Sequence, residues 1–304
     1  MTSTTLSSTR LPKALALTEA LVSPPVTPAQ PPDIPKLRRT IASCAELVPK
    51  GERFQVDGFL LRTVASEPGR IGNSDEFAWS PVTARRRLGL AAVRSCIRGL
   101  HRTPAEAVHA VVDASIVDAE EGRERPASLA CWLNQLPMGG RAVAEAEAIH
   151  WATDLLSSLE WRELGCNPVL GLDQWWDCPP SGGLVLQGRA EVRAALRDPD
   201  RHEGKNATTH RDGSSHPGST LKRETALFTM ISGRPSAVAG TELGLAALVA
   251  LLADPDAPPP VRAVGWWPQC GRALVVTMDA ESFQTTADAV AAAVASVAKH
   301  GFKS

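Results

Sequence analysis

At 304 residues and 43% hydrophobic, the chain carries enough apolar sequence to bury a core of ordinary size, which excludes a wholly disordered polymer. Its 32 basic and 33 acidic residues leave a formal charge of −1, so no global field draws it to nucleic acid or to a membrane surface, and such a partner needs a local patch. No apolar run reaches the roughly 20 residues of a membrane-spanning helix, and the alanine-rich stretch 287–298 falls short of it.

In chain order, residues 1–50 read as a flexible, proline-rich arm. Ser23-Pro24-Pro25-Val26-Thr27-Pro28-Ala29-Gln30-Pro31-Pro32 lacks amide donors at its prolines and favours extended, solvated backbone. Short helices over 11–21 and 35–47 are compatible with the pattern, and Lys36-Leu37-Arg38-Arg39 forms a small basic cluster. The folded part, 51–304, is expected as one domain. Ser80-Pro81 opens a helix, because a serine hydroxyl can cap and proline suits the first turn. That helix runs to about 100 with Leu88, Ala92 and Val93 inward, and Thr103-Pro104 opens another with Val108, Val111, Val112 and Ile116 at helical spacing. After Pro137-Met138-Gly139-Gly140 a third helix covers 141–159.

The period then changes to that of strands. Residues 168–172, 183–195 and 226–232 are short β-rich runs bounded by Gly, Pro and Asp. Between the last two, 198–223 is polar and almost devoid of apolar residues, so a disordered insertion is expected there; its His202, His210 and His216 have no frame to orient them on a metal. An apolar helix over 242–252, a hairpin of 261–267 and 273–278 around Cys270-Gly271, and a helix over 280–299 complete the chain. Helices followed by strand, strand, strand, helix, strand, strand, helix predict an α/β fold of the α+β kind, a mixed central sheet flanked by helices.

Cys44, Cys96, Cys131, Cys166, Cys178 and Cys270 stand singly, without the paired spacing of a zinc site, and reduced thiols in a cytoplasmic protein are the expectation. Asn206-Ala207-Thr208 matches a glycosylation sequon by pattern alone. Trp175-Trp176 and Trp266-Trp267 are paired indoles in strands, where alternation sends neighbours to opposite faces; one of each pair is expected in the core, and a stacking platform for unpaired bases is the alternative role. Arg85, Arg86 and Arg87 oppose the helix dipole unless an anion such as a phosphate sits there. No P-loop, G-x-G-x-x-G or G-x-S-x-G element is present.

Gly188-Arg189-Ala190-Glu191-Val192, then Thr229-Met230-Ile231-Ser232-Gly233-Arg234-Pro235, then the helix from Glu242 resemble, in order and element type, the core of the PD-(D/E)XK nuclease superfamily and its RecB-like branch. The resemblance implies a restriction-endonuclease-like core. Trp79-Ser80-Pro81 resembles the helix start that precedes that core, and His150 lies where the family places a metal-binding histidine, although Glu147 replaces the glycine before it. The family holds Mg or Mn with two carboxylates and uses a lysine beside them. Only Glu191 matches; Thr229 and Ile231 stand in place of the second acid and the lysine. Losing one positioned electrostatic group costs on the order of 10²–10³ in rate, so the resemblance implies a catalytically degenerate nuclease fold that binds DNA or serves as a subunit of a DNA-processing assembly. Arg85, Arg86, Arg87, Arg189 and Arg234 are its candidate nucleic-acid contacts. The alternatives are an active Mg- or Mn-dependent nuclease, using Glu191 and His150 with ligands relocated among Asp173, Asp177, Glu145, Glu147 and Glu242, and a non-enzymatic scaffold that docks a protein partner.

Overall fold

In the computed structural model of the chain the described residues are 3–6 (backbone only), 14–25, 30–66, 78–164, 168–179, 183–197, 224–236 and 238–300. The expected insertion at 198–223 and part of the proline run, 26–29, lie outside them. The elements follow in order as β1 (Ser3–Leu6), α1 (Ala14–Val22), α2 (Ile34–Ala45), β2 (Phe54–Val56), α3 (Gly58–Ser66), α4 (Pro81–Ile97), α5 (Pro104–Glu120), α6 (Leu129–Gln135), α7 (Met138–Ser158), β3 (Val169–Asp177), β4 (Leu184–Ala195), β5 (Thr225–Met230), α8 (Ala239–Ala253), β6 (Pro260–Trp267), β7 (Arg272–Thr277) and α9 (Ala280–His300). No helix among them is long and apolar enough to cross a membrane.

The helix starts obey local chemistry. The Thr83 amide donates to Ser80 Oγ while the Ser80 amide donates to Thr83 Oγ1, closing a capping box on α4. On α5 the Glu106 amide donates to Thr103 Oγ1.

The described residues separate into two compact units, one built on Thr18–Ile71 and Leu164–Phe302 with the N-terminal strand, the other on Gly72–Glu163. In the helical unit α4 and α7 approach closely at Gly89, where an added Cβ would collide with the Trp151 ring. Leu88, Val93, Val108, Val112, Leu133 and Leu155 are buried in this unit. Burying each such side chain is worth about 1.5–3 kcal/mol, which explains how four helices can hold together on their own.

The other unit is a mixed seven-stranded sheet, giving an α+β fold. β3, β4 and β5 run antiparallel in succession, β6 is parallel to β5, and β7 returns antiparallel to β6 with β1 on its outer edge. β3 pairs with nearly the whole of β4, whereas β2 pairs parallel with its first residues, Leu184 to Leu186, and β5 with its last, Val192 to Ala195. β2 and β5 therefore lie end to end along the same edge of β4. α8, buried along most of its length, covers the sheet. Gly188 permits this approach: a Cβ there would stand 2.9 Å from Val249 Cβ and 3.0 Å from Ala246 Cα.

Within the N-terminal segment, α1 and α2 carry packed faces. Leu17, Leu21 and Val22 of α1 and Leu37, Ile41, Cys44 and Ala45 of α2 are buried. Arg262 Nη1 donates to the carbonyls of Ala20, 2.6 Å, and Ser23, 3.0 Å, at the C-terminal end of α1. Arg197 Nη1 meets Glu19 at 2.6 Å while its amide donates to Val22 O. Cations at carbonyls left over by the helix complete its hydrogen bonding and complement its dipole. Arg38 Nη2 likewise reaches Leu252 O, in the last turn of α8.

Candidate nucleic-acid interface

The strand chemistry centres on β4. Glu191 is 3% exposed, and its Oε2 accepts the Met230 amide hydrogen at 2.7 Å. That carboxylate thereby supplies an acceptor at the point where β5 parts from β4, a polar duty in a buried place. Thr229 Oγ1 donates to the Arg189 carbonyl at 3.4 Å. Ile231 is buried, its amide donates to Trp266 O at 2.8 Å, and its Cδ1 fills the space that a Cβ on Gly265 would need. A lysine ammonium in the place of Ile231 would be taken out of water into an apolar cluster, at a cost of several kcal/mol. Gly233, at φ 87°, sits in the left-handed region, which suits glycine as the chain turns away from β5.

Glu242 lies in the first turn of α8, and its carboxylate receives Arg62 Nε at 2.5 Å and Nη2 at 2.8 Å. Both of its oxygens are thus engaged by a cation on α3. Among the described residues no three His, Cys, Asp or Glu side chains converge as metal ligands. The set of Glu191, Thr229, Ile231 and Glu242 does not fit a divalent cation: one acid accepts an amide hydrogen, the other a guanidinium, and Ile231 offers no donor atom.

Arg189 is the exposed cation of this strand. Its guanidinium donates to the Gln187 carboxamide oxygen at 2.9 and 3.1 Å, and its Nε stands 3.6 Å from Asp173 Oδ1. In that orientation of the carboxamide the amide nitrogen of Gln187, 5% exposed, faces the Gln55 carboxamide of β2 at 2.5 Å. Cross-strand register puts Trp175 opposite Gln187 and Asp173 opposite Arg189. Trp175 is 52% exposed, whereas Trp176 is buried, as alternation requires. Trp266 and Trp267 are both buried, which corrects the expectation of one covered and one edge indole, because β6 runs between β5 and β7 with apolar packing on both faces. Arg234 is exposed just beyond β5.

Of the other candidates, Arg85, Arg86, Arg87 and His150 belong to the helical unit and Glu191 to the sheet unit. Arg85 Nη1 bonds Glu147 at 3.3 Å, and Arg87 lies over the Trp79 ring, 6.0 Å from its centroid. Arg86 is half-buried. His150 is largely exposed and pairs with Asp154 one turn on, at 3.5 Å. Burial raises the Asp154 carboxyl above its ordinary range, and His150 offsets part of that rise.

The amide network around Gln187 was not anticipated. Its one sequence signal is a glutamine inside the apolar run Leu184-Val185-Leu186-Gln187, but its partner Gln55 lies 132 positions away. Comparison with protein-family models, with curated proteins and with solved structures yields no match for this chain.

Proposed function

We propose that the sheet unit has a restriction-endonuclease-like core of the RecB-like kind, catalytically degenerate, and that the protein binds DNA, alone or as a subunit of a DNA-processing assembly. The observation that carries this reading is the pairing order. α7 precedes three successive antiparallel strands, β3, β4 and β5; α8 follows, and β6 then pairs parallel to β5. Within that order, Gly188-Arg189-Ala190-Glu191 falls on the middle strand, and the segment from Thr229 through Gly233-Arg234-Pro235 begins on its neighbour. The order of these strands and of α8 is what supports the reading.

Degeneracy is supported by what the four key side chains do instead of chemistry. Glu191 bonds an amide, Thr229 a carbonyl and Glu242 an arginine, while Ile231 packs in the core. DNA contact is supported by the exposed Arg189 and Arg234. Phosphate contact by such cations releases counterions, so affinity falls steeply with salt.

The test is titration of labelled single-stranded and duplex DNA at increasing salt, with a parallel cleavage assay in Mg and Mn. Binding that weakens with salt and no cleavage is the expected result. No binding at low salt would sink direct DNA contact. Metal-dependent cleavage abolished by Glu191→Ala would replace this reading with the active nuclease.

A further inference from the structure

Trp175, Asp173, Gln187 and Arg189 form a square on one face of the sheet, set by the register of β3 on β4. The four have different duties. Trp175 offers an exposed indole face, and Asp173 and Arg189 are exposed beside it, whereas Gln187 is buried beneath them. With its carboxamide oxygen toward Arg189, Gln187 accepts two hydrogen bonds from the guanidinium, and its amide nitrogen faces Gln55. A side chain held this way loses less freedom when a ligand arrives, which is how a binding group is preorganised.

The square presents one flat aromatic surface with a donor group and an acceptor group side by side at its margin. A planar ring stacked on Trp175 directs its edge to that margin, since residues two apart on a strand share a face about 7 Å from one another. Arg189 donates there and Asp173 accepts. Guanine presents two adjacent N–H donors next to a carbonyl on its Watson–Crick edge, so the carboxylate of Asp173 can take both N–H groups while Arg189 donates to the oxygen. Adenine and cytosine each present one amino group there, and thymine a single N–H between two carbonyls. Stacking needs an unpaired base, because a duplex hides the ring faces.

Arg234 is exposed in the turn that follows β5. The other carboxylate at this end, Asp177, is held by Arg53 at 2.9 Å.

We infer that this face binds a single-stranded nucleic acid by stacking an unpaired base on Trp175, with Asp173 and Arg189 selecting guanine. The inference deepens the DNA-binding reading above and rests on it.

The experiment measures fluorescence anisotropy of the full chain with short labelled oligodeoxynucleotides at low salt. Four probes are used: dG alternating with dT, dA with dT, dC with dT, and dT alone. The dG probe is expected to bind most tightly. Trp175→Ala should weaken it roughly tenfold or more, and Trp175→Phe should restore most of that loss, as expected for stacking. Asp173→Asn should abolish the dG preference while leaving binding of the dT probe unchanged. Because Trp175 and Asp173 are exposed on an edge strand, circular dichroism and urea midpoints of the variants should match the parent. Salt-sensitive binding that Trp175→Ala leaves intact, or equal affinity for all four probes, would overturn this inference while the DNA-binding reading stood. Absence of binding to every probe and to duplex would overturn both, and tight binding to duplex alone would overturn the inference only.

Discussion

Arg62 holds Glu242 at two points, Nε and Nη2 each donating to one carboxylate oxygen, so a candidate catalytic acid is a clasp between α3 and α8. The hydrogen bond to the carboxylate raises the Arg62 guanidinium above its ordinary value, against an opposing push from burial. Arg62→Ala would leave a mostly covered carboxylate without its two donors. A stability loss of about 1–2 kcal/mol is expected, allowing for the partial exposure of the arginine. Urea unfolding checks it, and an unchanged midpoint would show that the clasp contributes nothing.

Glu191 gives a second prediction, which separates structure from chemistry. Glu191→Ala leaves the Met230 amide without its acceptor and should cost about 1–3 kcal/mol, whereas Glu191→Gln keeps a carbonyl oxygen within reach and should cost less. Thermal melts of the two variants decide it. If both melt like the parent, the hydrogen bond does not anchor the parting of β5 from β4.

Gly265 and Ile231 compete for one space. A Cβ on Gly265 would lie 2.7 Å from Ile231 Cδ1 and 2.9 Å from Leu243 Cδ1. Gly265→Ala should cost about 1–3 kcal/mol through overpacking. Ile231→Val removes the Cδ1 methyl, so the double variant should be less destabilised than the sum of the singles by about 0.5 kcal/mol or more. Strict additivity in this cycle would mean that Leu243 alone sets the clash.

Acid should loosen the N-terminal helix before the sheet. The Arg197 hydrogen bond, helped by Ser23, holds the Glu19 carboxyl below its ordinary value of 4.5, against an opposing push from burial. A carboxyl whose folded pKa is depressed contributes stability above its unfolded pKa, and the contribution fades as pH falls through the folded value. Amide protection factors of residues 18–23, that is exchange rates corrected for intrinsic exchange at each pH, should therefore fall below about pH 4 in the parent, and Arg197→Ala should remove this acid dependence. Protection factors that do not change with pH in the parent would refute the assignment.

The thiols should differ in reactivity. Burial pushes Cys44 up to about 11, with nearby Cys178 adding to the rise, so little thiolate exists at neutral pH. Cys270 is exposed. Brief maleimide labelling of the native protein, read by peptide mass, should modify Cys270 ahead of Cys44. Equal rates would show that α2 opens readily.

Much of the fold was legible because single residues mark it. Ser80-Pro81 and Thr103-Pro104 placed two helix starts at the positions where their caps now close. Strands β3 to β7 and the last two helices were visible as changes of period. Four elements were not. β1 and β2 have only four and three residues, too few to show alternation. α3 and α6 are short, and their signals are single caps, Asp57 accepting the Leu60 amide and Ser128 accepting the Cys131 amide. Within the arm the helix over 35–47 was legible as a possibility, and its buried face is Leu37, Ile41, Cys44 and Val48 at helical spacing. At the site, Glu191, Arg189 and Trp175 could be named from sequence. What they touch could not, because Gln55 meets Gln187 and Arg189 meets Asp173 only once strand register is fixed, and register depends on the whole sheet.

The shared edge of β4 has a consequence for how the chain reaches its native state. β4 is a rail that two tenants occupy in tandem: β2, made early in synthesis, and β5, made after it. β2 has nothing to pair with until the rail emerges from the ribosome, and so small a strand has little hold of its own. Assembly outward from the β3–β4 hairpin with β2 seated late is the expectation, and pulsed amide exchange during refolding would check it by protecting β2 after β3 and β4. Any ligand that grips Gln55 and Arg189 together would act as a staple across that late joint, slowing its release.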